Sequence, residues 1–157
     1  MKRKNGFSIV EALIVVFIFT TSIFFIWKIY VSYIKISLSN LLDMEATSLA
    51  EEGIEVLRFW RDNSWSTNIN SLSTTTAYSL NWNGLVWSAT TTYKFIDNKF
   101  DRRVYLSDVY RNTSQNISTS GTFDPNVKKI KVVVSWYKET GTTTTEIISY
   151  ITNIFNN

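Results

Sequence analysis

A chain of 157 residues, 45% of them hydrophobic, is long enough for one modest domain. It contains no His and no Cys, which removes thiol nucleophiles, disulfide staples, the usual zinc ligand sets and any Ser-His-Asp arrangement. The net charge of +3 comes from Lys2, Arg3 and Lys4, since the remaining thirteen basic side chains face thirteen acidic ones, so charge gives no support to nucleic-acid binding.

The apolar residues are unevenly distributed. After the three cations, residues 7–30 are apolar, broken by little more than Glu11 and Lys28. At about 1.5 Å per helical residue this span covers roughly 36 Å, enough to cross a hydrocarbon core of about 30 Å. The cationic residues before it predict a cytoplasmic N-terminus and a C-terminal portion outside. A secretory signal does not fit, because the apolar stretch is too long and no small-residue cleavage site follows it. Glu11 is the oddity, since a carboxylate within lipid costs several kcal/mol unless paired or neutralised.

The consecutive residues Lys4, Asn5, Gly6, Phe7, Ser8, Ile9, Val10 and Glu11 resemble the class III signal of type IV prepilins and type II secretion pseudopilins. The resemblance rests on the basic leader, the Gly6 and Phe7 junction, the glutamate and the apolar helix occurring together. It implies that a membrane prepilin peptidase cuts after Gly6 and methylates the new amine of Phe7. It also implies that Glu11 is the assembly glutamate, five positions into the mature chain. The physical logic is that Phe7, once cut, carries a positive amine at the edge of an apolar bundle. A carboxylate on a neighbouring helix pairs with that amine in low dielectric, and either group alone is penalised. Such a pair would set the axial register between subunits.

Helical spacing continues beyond the span. Ile34, Leu38, Leu42, Ala46, Leu49, Gly53, Leu57 and Trp60 recur at steps of three or four, one apolar stripe of an amphipathic helix over 31–62. No proline precedes Pro125, so nothing forces a break before Arg61. Gly53 costs about 1 kcal/mol relative to alanine in a helix and is expected to permit close packing. Residues 46–55 also resemble the minor pilin and pseudopilin branch, whereas the proline that many major pilins carry midway along the membrane helix is missing.

After Asn63 the period changes to two. Asn83 and Gly84 form a strong hairpin signal between strands at 77–82 and 85–88. Further strands are predicted over 91–96, 102–110, 128–137 and 144–154. In the strand over 128–137, Ile130, Val132, Val134 and Trp136 alternate with a mixed set, as a sheet with one covered face requires. A helix followed by consecutive strands predicts an α+β fold, a long N-terminal helix packed on an antiparallel sheet. The predicted organisation is a leader over 1–6, a transmembrane half-helix over 7–30, an amphipathic half over 31–62 and a β domain over 63–157.

The polar stretch 64–76 is read either as a functional loop or as a solvated connection from helix to sheet, and Trp60, Trp65, Trp82, Trp87 and Trp136 are expected to be core. Asp97, Asp101 and Asp124 do not follow a calcium-loop spacing and are read as turn carboxylates. With only five glycines, none clustered, there is no phosphate-cradling loop. No catalytic residue, metal ligand or cofactor is therefore assigned, and the chain is not read as an enzyme.

The resemblance implies a minor pilin or pseudopilin of a type IV pilus-like filament, with the prepilin peptidase and other pilin subunits as partners. The precursor would lie in the cytoplasmic membrane and the assembled subunit in an extracellular filament. The alternative is an uncleaved single-pass membrane protein whose outer domain binds a ligand.

Overall fold

The computed structural model describes residues 8–138 and 141–155. Among the described residues, the α-helix α1 (Ile9–Asn63) precedes seven strands: β1 (Ala77–Trp82), β2 (Trp87–Thr90), β3 (Phe95–Ile96), β4 (Phe100–Arg111), β5 (Ile117–Ser118), β6 (Thr122–Lys138) and β7 (Gly141–Thr152). The fold is α+β, as expected. Contacts divide the chain after Leu41 into two compact units.

In the second unit the strands form an antiparallel sheet of order β2-β1-β4-β6-β7. β4 is central, paired along one edge with β6 while its other edge is filled piecewise by β3, β1 and β5. The register between β4 and β6 shifts after Asp108, where Lys128 is opposite, to Val109, where Asp124 is opposite. Pro125, the chain's single proline, lies in this irregularity, one of the few places in a sheet where a residue without an N–H is tolerated.

The core lies between the end of α1 and one face of the sheet. Ala46, Ala50, Ile54, Leu57 and Trp60 from the helix meet Val104, Leu106, Ile130, Val132, Val134 and Ile151 from the strands, all buried. The alternation predicted for β6 is observed, with Ile130, Val132, Val134 and Trp136 buried while Lys131, Ser135 and Tyr137 are partly or fully exposed. The predicted helical stripe is covered only from Leu42 onward, because Ile34 and Leu38 are exposed. Gly53 is buried, and a Cβ there would stand 2.9 Å from Val132 Cγ1, so the glycine serves close packing.

Two arginines on β4 are buried with partners. Arg102 donates to Glu52 Oε2 at 2.6 Å and to the Leu49 carbonyl at 3.0 Å, tying sheet to helix. Arg103 pairs with Asp101 at 3.0 Å, and its guanidinium carbon lies 3.3 Å from the centroid of the Tyr93 ring. Lys138 on β6 reaches Asp43 on α1 at 2.7 Å.

Several local expectations change. The β1–β2 connection is not a two-residue turn: Asn83 Oδ1 accepts from both Leu85 N and Val86 N at 2.9 Å, and Trp82 faces Trp87 across the loop 83–86. Gly84 at φ 95° supplies the left-handed residue. The strand expected over 91–96 is reduced to β3, as the chain lifts away so that Tyr93 covers Arg103. The stretch 64–76 is more than a solvated connection. It contains a π-helical turn, Trp65–Ile69, capped by the Ser64 hydroxyl and anchored by buried Trp65 and Ile69.

Candidate functional site

The N-terminal part of α1 is the candidate site, and its chemistry is that of a helix made for a non-aqueous environment. Among the described residues it is one helix long and apolar enough to cross a membrane, with none of its apolar window buried within the chain. Ile9, Leu13, Phe17, Phe19, Phe24 and Phe25 are all more than half exposed. A continuous apolar surface on this scale is not stable in water and requires lipid or other helices around it.

Glu11 lies in the first turn, which opens with Ala12 N donating to Ser8 O at 3.1 Å. It is exposed, and it is the sole ionisable side chain between Ile9 and Trp27. A carboxylate at this end is favoured by the unpaired N–H groups of the first turn. Gly6 and Phe7, together with Lys2, Arg3 and Lys4, lie outside the described residues.

The three mid-span hydroxyls are satisfied without outside partners. Thr20, Thr21 and Ser22 each donate a hydroxyl to the carbonyl four residues back, at 2.8, 2.9 and 2.7 Å. Such bonds leave no stranded donor in hydrocarbon. Lys28 closes the span, its Nζ 4.9 Å from the centroid of the Phe24 ring, and its long stem allows the ammonium to reach an interface. Trp27, Tyr30 and Tyr33 are exposed around the same level, the residue types enriched where a bilayer meets water. Sequence reasoning located Glu11 and Lys28 but passed over these hydroxyls and this aromatic group. The signal was present in the clustering of Trp and Tyr at one end of the span.

Elsewhere, each carboxylate read as an ordinary turn residue has a local explanation. Asp101 is held by Arg103 and Asp124 by Arg111, while Asp97 is in a left-handed turn at φ 50°. The tryptophans divide. Trp60, Trp65 and Trp136 are core, as expected, but Trp82 is 49% exposed and Trp87 only half-buried. These two pair with each other, ring centroids 5.3 Å apart, with Trp87 packed against the edge of the core.

The chain matches no protein-family model, no curated protein and no solved structure.

Proposed function

We propose that the protein is a structural subunit of a type IV pilus-like filament, a minor pilin or pseudopilin. In this reading a prepilin peptidase cuts between Gly6 and Phe7 and methylates the Phe7 amine. The precursor waits in the cytoplasmic membrane with its sheet domain outside, and the cut subunit enters an extracellular filament by packing its N-terminal helix among those of other subunits. The observation that carries the proposal is Glu11, a lone carboxylate in the first turn of α1, at the start of an apolar stretch that the rest of the chain leaves uncovered. The first-turn N–H groups favour a carboxylate in any membrane helix, but an assembling helix gains from it in addition a register-setting partner for a neighbour's amine. The internally bonded Thr20, Thr21 and Ser22 suit a helix that passes from lipid into a helix bundle, since neither medium must supply partners.

Mass spectrometry of the protein from membranes and from sheared surface filaments tests this. The expected result is a chain starting at methylated Phe7 and present in the filament fraction. A chain still starting at Met1, or cut beyond the apolar span, overturns the proposal.

A further inference from the structure

No Asp, Glu, Lys or Arg occurs between Asp62 and Lys94. Ser, Thr and Asn dominate that stretch, with Trp65, Tyr78, Trp82, Trp87 and Tyr93 spaced among them. Where the π-helical turn and β2 approach the end of α1, they enclose an open cleft of about 220 Å³. Trp60 and Trp87 supply its aromatic surfaces, and Thr67, Asn68, Ser71 and Ser88 its hydrogen-bonding groups; none of the lining residues is charged.

Two properties make this more than a gap between elements. First, its polar groups are already fixed. Ser71 Oγ donates to the Thr67 carbonyl at 2.5 Å, Ser88 Oγ to the Asn81 carbonyl at 3.4 Å, and Asn68 Nδ2 to the Trp60 carbonyl at 3.2 Å. With these hydroxyl hydrogens used internally, the oxygens keep lone pairs for a ligand's O–H groups. Second, the Trp87 indole is held in place by neighbours. The Arg102 guanidinium carbon lies 5.4 Å from its centroid, and the half-exposed Trp82 lies beside it, tilted by 44° at a centroid distance of 5.3 Å. An aromatic platform fixed in this way loses little freedom on binding.

We propose that this cleft binds a neutral sugar residue within an oligosaccharide. The apolar C–H face of a pyranose matches an indole surface, and its hydroxyl edge matches the acceptors on the rim. A phosphate, carboxylate or ammonium ligand would find no countercharge among the lining residues, which disfavours nucleotides and acidic glycans. A purely apolar ligand would leave the rim oxygens unpaired. The cleft is smaller than the roughly 300–1,000 Å³ of pockets for drug-sized ligands. It therefore takes one ring, while Trp82 offers a surface for the next. The proposal is independent of filament assembly, since every residue it uses lies outside the apolar span.

The test titrates full-length protein, in a zwitterionic detergent free of sugar headgroups, with neutral oligomers of glucose, galactose, mannose and N-acetylglucosamine. Oligogalacturonate and sialyllactose serve as charged counterparts. Tryptophan fluorescence and indole NMR resonances report binding. At least one neutral oligomer is expected to give a saturable change at millimolar concentration, and the charged ones none. Ser71→Arg and Ser88→Arg, at exposed positions, should each weaken binding about tenfold or more, with Tyr137→Ala on β6 as an unaffected control. The proposal is overturned if no neutral oligomer gives a saturable change, if the charged ones bind equally well, or if both arginine variants bind like the parent.

Discussion

Gly53 of α1 stands against Val132 of β6 so closely that an added Cβ would meet Val132 Cγ1 at 2.9 Å. Val132 is fully buried, and its branched side chain is stiff at χ1, so it cannot swing aside. Gly53→Ala therefore sets a helix-propensity gain of about 1 kcal/mol against an overpacking cost of about 1–3 kcal/mol. A net loss of roughly 1 kcal/mol is expected, seen as a lower midpoint in thermal unfolding followed by tryptophan fluorescence. A higher midpoint would mean that helix and sheet separate at no cost and that Gly53 has no packing role.

The Arg102 and Glu52 pair should outweigh its surface counterpart. Arg102 is 3% exposed and also holds the Leu49 carbonyl, whereas Arg58 and Glu55, 2.5 Å apart, are both well exposed. Removing Glu52 strands a buried guanidinium, though solvent reaching the half-exposed glutamate position moderates the loss. Glu52→Ala should cost about 1–2 kcal/mol and Glu55→Ala no more than about 0.5 kcal/mol. Denaturant unfolding of both variants measures the difference, and equal midpoints would contradict it.

These two cases show where sequence reasoning reaches and where it stops. The stripe through Ala46, Gly53 and Leu57 and the alternation from Ile130 to Trp136 were legible because each follows from the period of a single element. Arg102 was not, since it reads as one polar residue in a strand until Glu52, fifty residues earlier, is brought beside it. The π-helical turn was hidden because Trp65 and Ile69 are its sole apolar anchors in a polar window. Glu11 was legible by composition alone, one charge in an apolar run. The cleft was not, because its walls come from the helix end, the π-helical turn and β2, and only the fold assembles them.

Acid should loosen the irregular end of the β4–β6 pair. The hydrogen bond from Arg111, at 2.5 Å, holds the Asp124 carboxyl below its ordinary value of 3.8, and the Asn126 N–H adds to this while burial opposes it. A carboxyl depressed in the folded state contributes stability that is fully present above the unfolded pKa and is lost as pH falls through the folded one. Arg111 also donates to the Gln115 carbonyl at 2.7 Å, so the loop before β5 should loosen with it. Asp124→Asn is expected to be less stable than the parent at neutral pH. The gap should narrow once pH drops below about 4. Thermal midpoints of both proteins across that range decide it: a gap that stays constant into strong acid removes Asp124 as the titrating group.

Glu11 should matter for assembly and not for membrane insertion. Glu11→Ala makes the apolar span more continuous, so membrane insertion should be unimpaired, and it leaves the Gly6 and Phe7 junction intact, so cleavage should proceed. In the proposed filament the consequence differs, because a neighbour's Phe7 ammonium would then lie at a dry helix interface without a countercharge. Incorporation should therefore fall severalfold while the pool of cut subunit in the membrane is maintained. Glu11→Gln should behave nearly as poorly, since its amide oxygen accepts a hydrogen bond but does not neutralise the ammonium. Glu11→Asp keeps the charge on a shorter stem and should retain more incorporation than either. Quantifying cut protein in membranes and in sheared filaments for the parent and the three variants gives the answer, with immunogold labelling to find where in the filament the parent lies. A subunit confined to the tip has no neighbour above it and is exempt on that side, so the comparison is made for subunits along the shaft. Shaft incorporation of Glu11→Ala at the parent's level would show that this carboxylate does not pair with a neighbour's amine.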